Sequence, residues 1–213
     1  MDQRCLVPEL LDSLEATDIR AIRSRRDLRL INAFLGNERW IARRISDHSS
    51  SIRHLAELGS GEGTLTRLLH CKLPAAVVTG LDLASRPEKL PSTIGWVRGD
   101  FFDTLATVGG DTCTGNLILH HFRDEDLGKL GGILSRFRLL IFTEPLRTPL
   151  TLALAQLALP LASEVTRHDM PASIRAGFRS GELSRLLGLD PGVWHLEEMA
   201  SRRGSIRLVA SRQ

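Results

Sequence analysis

Glu57-Leu58-Gly59-Ser60-Gly61-Glu62-Gly63 (ELGSGEG) follows a short apolar run and opens a helical pattern carried by Leu65, Leu68 and Leu69. A strand that runs into closely spaced glycines can turn sharply and bring its backbone against a ligand where a side chain would collide. The helix start beside that turn offers unpaired N–H groups and the positive end of the helix dipole. Alone, the loop is also what NAD enzymes and tight structural turns produce, so the surrounding chain has to decide.

Outward from the loop, the pattern alternates. Residues 55–58 read as a first strand, 75–83 as a second closing on Asp82, 95–99 as a third, 111–119 as a fourth and 139–143 as a fifth. A helix is expected over 124–137, with Leu127, Leu130, Ile133 and Leu134 inward, and further helices dominate 149–187. Two terminal strands are expected at 194–199 and 205–210. Upstream, apolar residues recur at spacings of three and four from Pro8 to His48, with Asn37 expected to cap a second helix after Gly36. Strands alternating with helices imply an α/β fold with a doubly wound, mainly parallel sheet. The expected organisation is an N-terminal helical segment over 1–50 and one α/β domain over 51–213, with a helical lid near 149–178.

Two acids join the glycine loop at the same sheet edge. Asp82, at the end of the second strand, is placed to accept hydrogen bonds from two ribose hydroxyls, or simply to cap its own turn. In Gly99-Asp100-Phe101-Phe102, Asp100 can accept from an adenine amino group and Phe101 can wall the ring. Each feature has a purely structural reading, but three of them closing three successive strands point to a nucleoside.

Composition bounds the rest. The chain has 213 residues, 42% hydrophobic and 25% charged, enough to bury a sizeable core without staples. The longest apolar stretch, 150–162, is broken by Thr151, Gln156 and Pro160 and falls short of the ~20 residues a membrane span needs. Residues 1–10 carry Asp2, Arg4, Pro8 and Glu9 and lack the apolar run of a signal peptide. Cys5, Cys71 and Cys113 have no paired metal-ligand spacing and read as reduced thiols, which fits a cytoplasmic protein. The net charge of +3 is small, and the arginine clusters at 20–29 and 43–44 read as solvated helix faces, so no nucleic-acid partner is expected.

Taken together, Glu57–Gly63, Asp82, Asp100–Phe101 and Gly115-Asn116-Leu117-Ile118-Leu119-His120-His121-Phe122 resemble the successive motifs of class I S-adenosylmethionine (SAM) dependent methyltransferases. More narrowly, they resemble the UbiE/MenG-like small-molecule enzymes. Residues 27–40, Thr143–Thr148 (TEPLRT) and Thr166–Phe178 (TRHDMPASIRAGF) extend the similarity across 27–189. The resemblance implies that Glu57, Gly59, Ser60, Gly61, Asp82, Leu83, Asp100, Phe101 and Asn116 hold SAM. It implies a small, mainly apolar acceptor (phenolic, polyketide or quinone-like) with S-adenosylhomocysteine (SAH) as product. Glu144 and Pro145 stand where Asp-Leu is more usual, and Gly115 at the end of the fourth strand is unusual.

SAM carries its own activation in the sulfonium, so the protein mainly aligns the acceptor, and a hydroxyl acceptor benefits from a base. The candidates are His120, His121 and His168. Neighbouring side chains diverge, so one of His120 and His121 is expected at the transfer pocket and the other against the sheet. Asp169 is adjacent to His168, although adjacent residues rarely pair. Arg147, Glu144 and Phe178 are candidates for the acceptor side, Arg147 as a bidentate clamp for an anionic group. Its bland alternative is an ion pair. No metal is expected, because the histidines show no short ligand spacing.

The residues also bear on other classes. A dehydrogenase would continue Gly59, Gly61 with a third glycine where Thr64 stands, and would carry a catalytic Tyr-Lys, His or Cys set, whereas this chain has no tyrosine and only Lys72, Lys89 and Lys129. An RNA or protein methyltransferase would share the SAM motifs, but the Pro-Pro-containing motif of amino-group enzymes is replaced by Asn116-Leu-Ile-Leu. A non-catalytic SAM-binding partner protein is the third reading, raised by Gly115 and Glu144–Pro145.

Overall fold

The computed structural model describes every residue except Asp2 and Ala16. Its centre is a seven-stranded sheet: β1 (His54–Leu58), β2 (Val77–Asp82), β3 (Gly95–Arg98), β4 (Thr112–Asn116), β5 (Leu139–Pro145), β6 (Trp194–Ala200) and β7 (Ser205–Arg212). The order is β3-β2-β1-β4-β5-β7-β6. β1 to β5 run parallel, and β7 inserts antiparallel between β5 and β6. Strand order reverses at β1 and β4, the place where α/β sheets leave a crevice at their carboxyl edge.

Helices cover both faces. α2 (Asn37–Asp47) and α3 (Thr64–Lys72) pack Ile41, Ala42, Ile45, Leu65 and Leu69 against Leu55, Val78, Ile141 and Val209. On the other face α5 (Asp124–Leu134) and α8 (Glu182–Leu186) set Leu127, Leu130, Leu134 and Leu183 against Ala56, Leu58, Leu140 and Phe142. Consecutive residues such as Leu55 and Ala56, or Leu140 and Ile141, enter opposite cores because strand side chains alternate. β5 is buried at all seven positions, as expected of a central strand covered on both faces.

α1 (Ile19–Leu35) precedes α2, and Gly36 joins them in the left-handed region (φ 68°). Asn37 is the first residue of α2, fully buried, and makes no capping bond; the cap position is Gly36. The expectation that Asn37 caps is therefore corrected. α2 lies directly on the sheet as part of the core. The short α4 (Phe101–Thr104) follows β3, while α6 (Pro149–Ala158) and α7 (Glu164–Ala176) follow β5. No residue of α6 is buried, and its Leu150, Leu154 and Leu157, like Leu161 just beyond it, face outward, so these leucines do not line an enclosed pocket. Among the described residues, no helix is long and apolar enough to cross a membrane.

Candidate functional site

The glycine loop takes the shape its composition allows. Gly59, Gly61 and Gly63 all adopt positive φ (67°, 49° and 71°), a region costly for side chains other than glycine. A Cβ on Gly59 would stand 2.7 Å from Cγ1 of Ile118, whereas beyond Gly61 there is open space. The loop is tied to β2: Gly59 and Ser60 donate backbone N–H bonds to the Leu81 carbonyl, and Gly61 N–H donates to Asp82 Oδ2 at 2.7 Å. Asp82 Oδ1 accepts from Ala84 N at 2.8 Å. The half-buried Asp82 thus sits against the open side of the loop.

The other expected nucleoside residues divide into two groups. Gly61, Asp82, Leu83 and Asp100 reach the surface of the edge. Glu57, Ser60 and Phe101 lie beneath it, at 2%, 6% and 6% exposure. Phe101 packs with its ring centroid 6.1 Å from that of Phe122, as part of the core. Asp100 caps α4 by accepting from Phe102 N at 2.9 Å. Asn116, at the end of β4, accepts from the Thr143 hydroxyl at 2.7 Å. Burial pushes the Glu57 carboxyl up to about 8, so it is protonated at neutral pH.

Beyond β4 the chain makes a second constellation. Leu117 has φ 56°, the one positive value at a non-glycine among the described residues, and throws the chain into a 3-10 turn, Leu119–His121. The fully buried Glu144, from β5, organises that turn. Its carboxylate accepts from Ile118 N (2.9 Å), Leu119 N (2.7 Å), His120 N (3.2 Å) and His120 Nδ1 (2.7 Å). Glutamate in place of a shorter aspartate therefore has a local reason: its length spans from β5 to the backbone of the neighbouring turn.

The N-terminal residues cross this turn as a strap. Arg4 bonds the carbonyls of Ala176 and His120, pairs with Asp124 at 2.6 Å and lies over the Phe178 ring. Further along, Leu10 N and Leu11 N donate to Asp169, and the Ser173 hydroxyl donates to Glu9. The strap brings Glu9 to 3.5 Å from Nε2 of His120, and Asp12 to 3.6 Å from Nδ1 of His121. A cavity of about 350 Å³ opens here, lined by Leu6, Val7, Glu9, Asp12, His120 and His121 among others.

The two imidazoles do not diverge. Their ring centroids are 4.3 Å apart, because alternation belongs to extended strand and this segment is a tight turn. Burial disfavours charge on His120, but the Glu144 carboxylate, which accepts from Nδ1, and the nearby carboxylate of Glu9 outweigh it and push the ring up to about 9. Burial and the charge of His120 hold His121 below the usual histidine range.

His168 lies elsewhere, on α7, with a half-exposed side chain and Nδ1 at 2.8 Å from Asp169. This adjacent pair forms because Asp169 is fixed by the strap amides. Arg147, Glu144 and Phe178 are all at 0% exposure. Arg147 binds the Gly177 and Met1 carbonyls and pairs with Glu182 at 2.5 Å. None of the three lines the cavity; they hold up its surroundings. Glu9 and Asp12 were missed in the sequence. Their partners lie more than a hundred positions away, and no spacing rule connects them.

No protein-family model and no curated protein matches the sequence. Solved structures do match. The plantazolicin methyltransferase BamL, in complex with a triazolic desmethylPZN analog and SAH, superposes with a TM-score of 0.74 at 11% identity, over 95% of this chain and 92% of that chain. The fold is that of a SAM-dependent methyltransferase. The plantazolicin methyltransferase BpumL in complex with SAH gives 0.71 at 14% identity, over 93% and 92% of the two chains. Human N-acetylserotonin methyltransferase in complex with SAM gives 0.53 at 16% identity, over 94% of this chain and 61% of that one. The expected doubly wound, mainly parallel sheet is thereby borne out.

Proposed function

We propose that this chain is a SAM-dependent methyltransferase of the UbiE/MenG-like kind, acting on a small, mainly apolar acceptor. The observation that carries the reading is the open glycine loop bonded to Asp82, with Asp100 beside it, at the switch point of the sheet. Gly61 has nothing in front of it where a Cβ would project, so a ligand can lie on the bare backbone. Asp82 and Asp100 present acceptors for ribose and adenine donors along the same edge. SAM, when bound, supplies a methyl group already activated on a sulfonium. This chain's residues then position the acceptor: the turn at Ile118–His121 meets the loop through Ile118, which packs against Gly59, and the cavity under the strap through His120 and His121. The fold shared with SAM- and SAH-bound methyltransferases supports the same reading.

The test is calorimetric titration with SAM and SAH, followed by transfer from labelled SAM to a panel of lipophilic phenols and quinols, with RNA and protein as comparison acceptors. Micromolar SAM binding and label in the phenols are expected. Label only in RNA or protein, or no SAM binding at all, overturns the proposal.

A further inference from the structure

Glu9, His120 and His121 stand far apart in sequence, yet their ligating atoms all lie within 4.8 Å of one another. We propose that they form a site for a divalent ion of the zinc type, with the cavity under the strap giving access to its remaining coordination position. Three distances argue for it. Nδ1 of His120 is 2.7 Å from Glu144, a full hydrogen bond that leaves Nε2 as the ring atom to bind the ion, which displaces its proton. Nε2 is 3.5 Å from Glu9, too long for a strong hydrogen bond. It matches the separation of about 3.4 Å between two ligand atoms that each bind a tetrahedral ion at ~2.0–2.1 Å. Asp12 stands 3.6 Å from Nδ1 of His121, a second carboxylate at ligand-atom separation from an imidazole.

The outer partners are also in place. Glu144 is held by three backbone N–H groups, so His120 cannot swing away, and Ser173 bonds Glu9. Carboxylate–histidine pairs behind a metal fix ring orientation and raise ligand basicity. Two histidines and one carboxylate with a fourth position open to a cavity is the donor set of catalytic rather than structural zinc. Binding of the ion does not depend on methyl transfer. If the proposed function holds, the open position would take an oxygen of the acceptor, which rests on that reading.

The experiment uses the full chain, stripped with a chelator and then titrated with Co²⁺ in the absence of SAM. One equivalent of Co²⁺ should produce the intense visible bands of a four-coordinate site, and Zn²⁺ should abolish them. Glu9→Gln and His121→Asn should each weaken Zn²⁺ binding at least 10-fold, and Glu144→Gln, through His120, should weaken it 10- to 100-fold. His195→Asn, on an exposed position of β6, should leave it unchanged. Circular dichroism and SAM titration of each variant separate loss of the site from loss of the fold. Absence of cobalt bands in the wild type, or Zn²⁺ binding undiminished in folded Glu9→Gln and His121→Asn, overturns the site. That result would leave SAM binding untouched, just as failure to bind SAM would leave the cobalt bands untouched.

Discussion

Replacing Glu57 by glutamine should make the protein more stable, and increasingly so as pH rises. Glu57 lies under the glycine loop at 2% exposure, and its Oε2 has no hydrogen-bond partner. Burial lifts its carboxyl from 4.5 to about 8. The folded state therefore keeps a proton that the unfolded chain releases, so stability falls as pH rises through that window. Below pH 4.5 both states are protonated and the effect vanishes. Each pH step across the gap costs about 1.4 kcal/mol, so the penalty grows from about 1 kcal/mol at pH 5 to about 4 kcal/mol at pH 8. Glutamine keeps the shape and cannot ionise. Denaturant unfolding of both proteins at these two pH values should show the variant's advantage widening by about 3 kcal/mol. A difference between the two proteins that stays flat across the window would refute the account of Glu57 as a carboxyl kept neutral by burial.

Three further outcomes are expected. Asp82→Ala should weaken SAM binding by ~1–3 kcal/mol, the worth of hydrogen bonds to a charged group, as measured by calorimetry on the folded variant. Gly131→Ala should destabilise by ~1–3 kcal/mol or more, because its Cβ would stand 1.8 Å from the Leu187 carbonyl; thermal melting checks it. Glu144→Leu should destabilise by ~3–5 kcal/mol, since it strips the partner from three backbone N–H groups and a buried imidazole, while Glu144→Gln should cost less in the same unfolding assay.

Local patterns carried the sheet into the sequence. The alternation around Leu55–Leu58, the β-branched run ending at Asp82 and the inward leucines of α5 each announce their element within a dozen residues. The nucleoside edge was legible for the same reason, since loop and acids close successive strands. The strands' exact ends were less so: residues 117–119 look apolar and extended, but Leu117 breaks the strand and the turn follows. The acceptor side was the least legible part. Its geometry depends on Glu144 reaching across from β5 and on Glu9 arriving from the strap. Alternation, applied to His120 and His121, gave divergence where the turn gives convergence. Helical periodicity over residues 8–48 also missed that 3–14 cross the turn as irregular chain, with one 3-10 turn at Leu11–Ser13.

The strap bonds partners 116 to 172 positions away through Arg4 and 158 or 159 away through Leu10 and Leu11. Contacts that distant close very large loops, and loop closure is an entropic cost that adjacent packing must recover. The sheet and its helices can condense first, and the strap docks onto them as a late step. It is also a segment that can detach while the rest stays folded, because few of its side chains are buried. Anything that engages Glu9 together with His120 then draws the strap down by mass action, with about 2.7 kcal/mol available at a hundred times the dissociation constant. Amide hydrogen exchange at Leu10 and Leu11 would report that coupling directly, as slowed exchange in a segment that otherwise opens long before the sheet does.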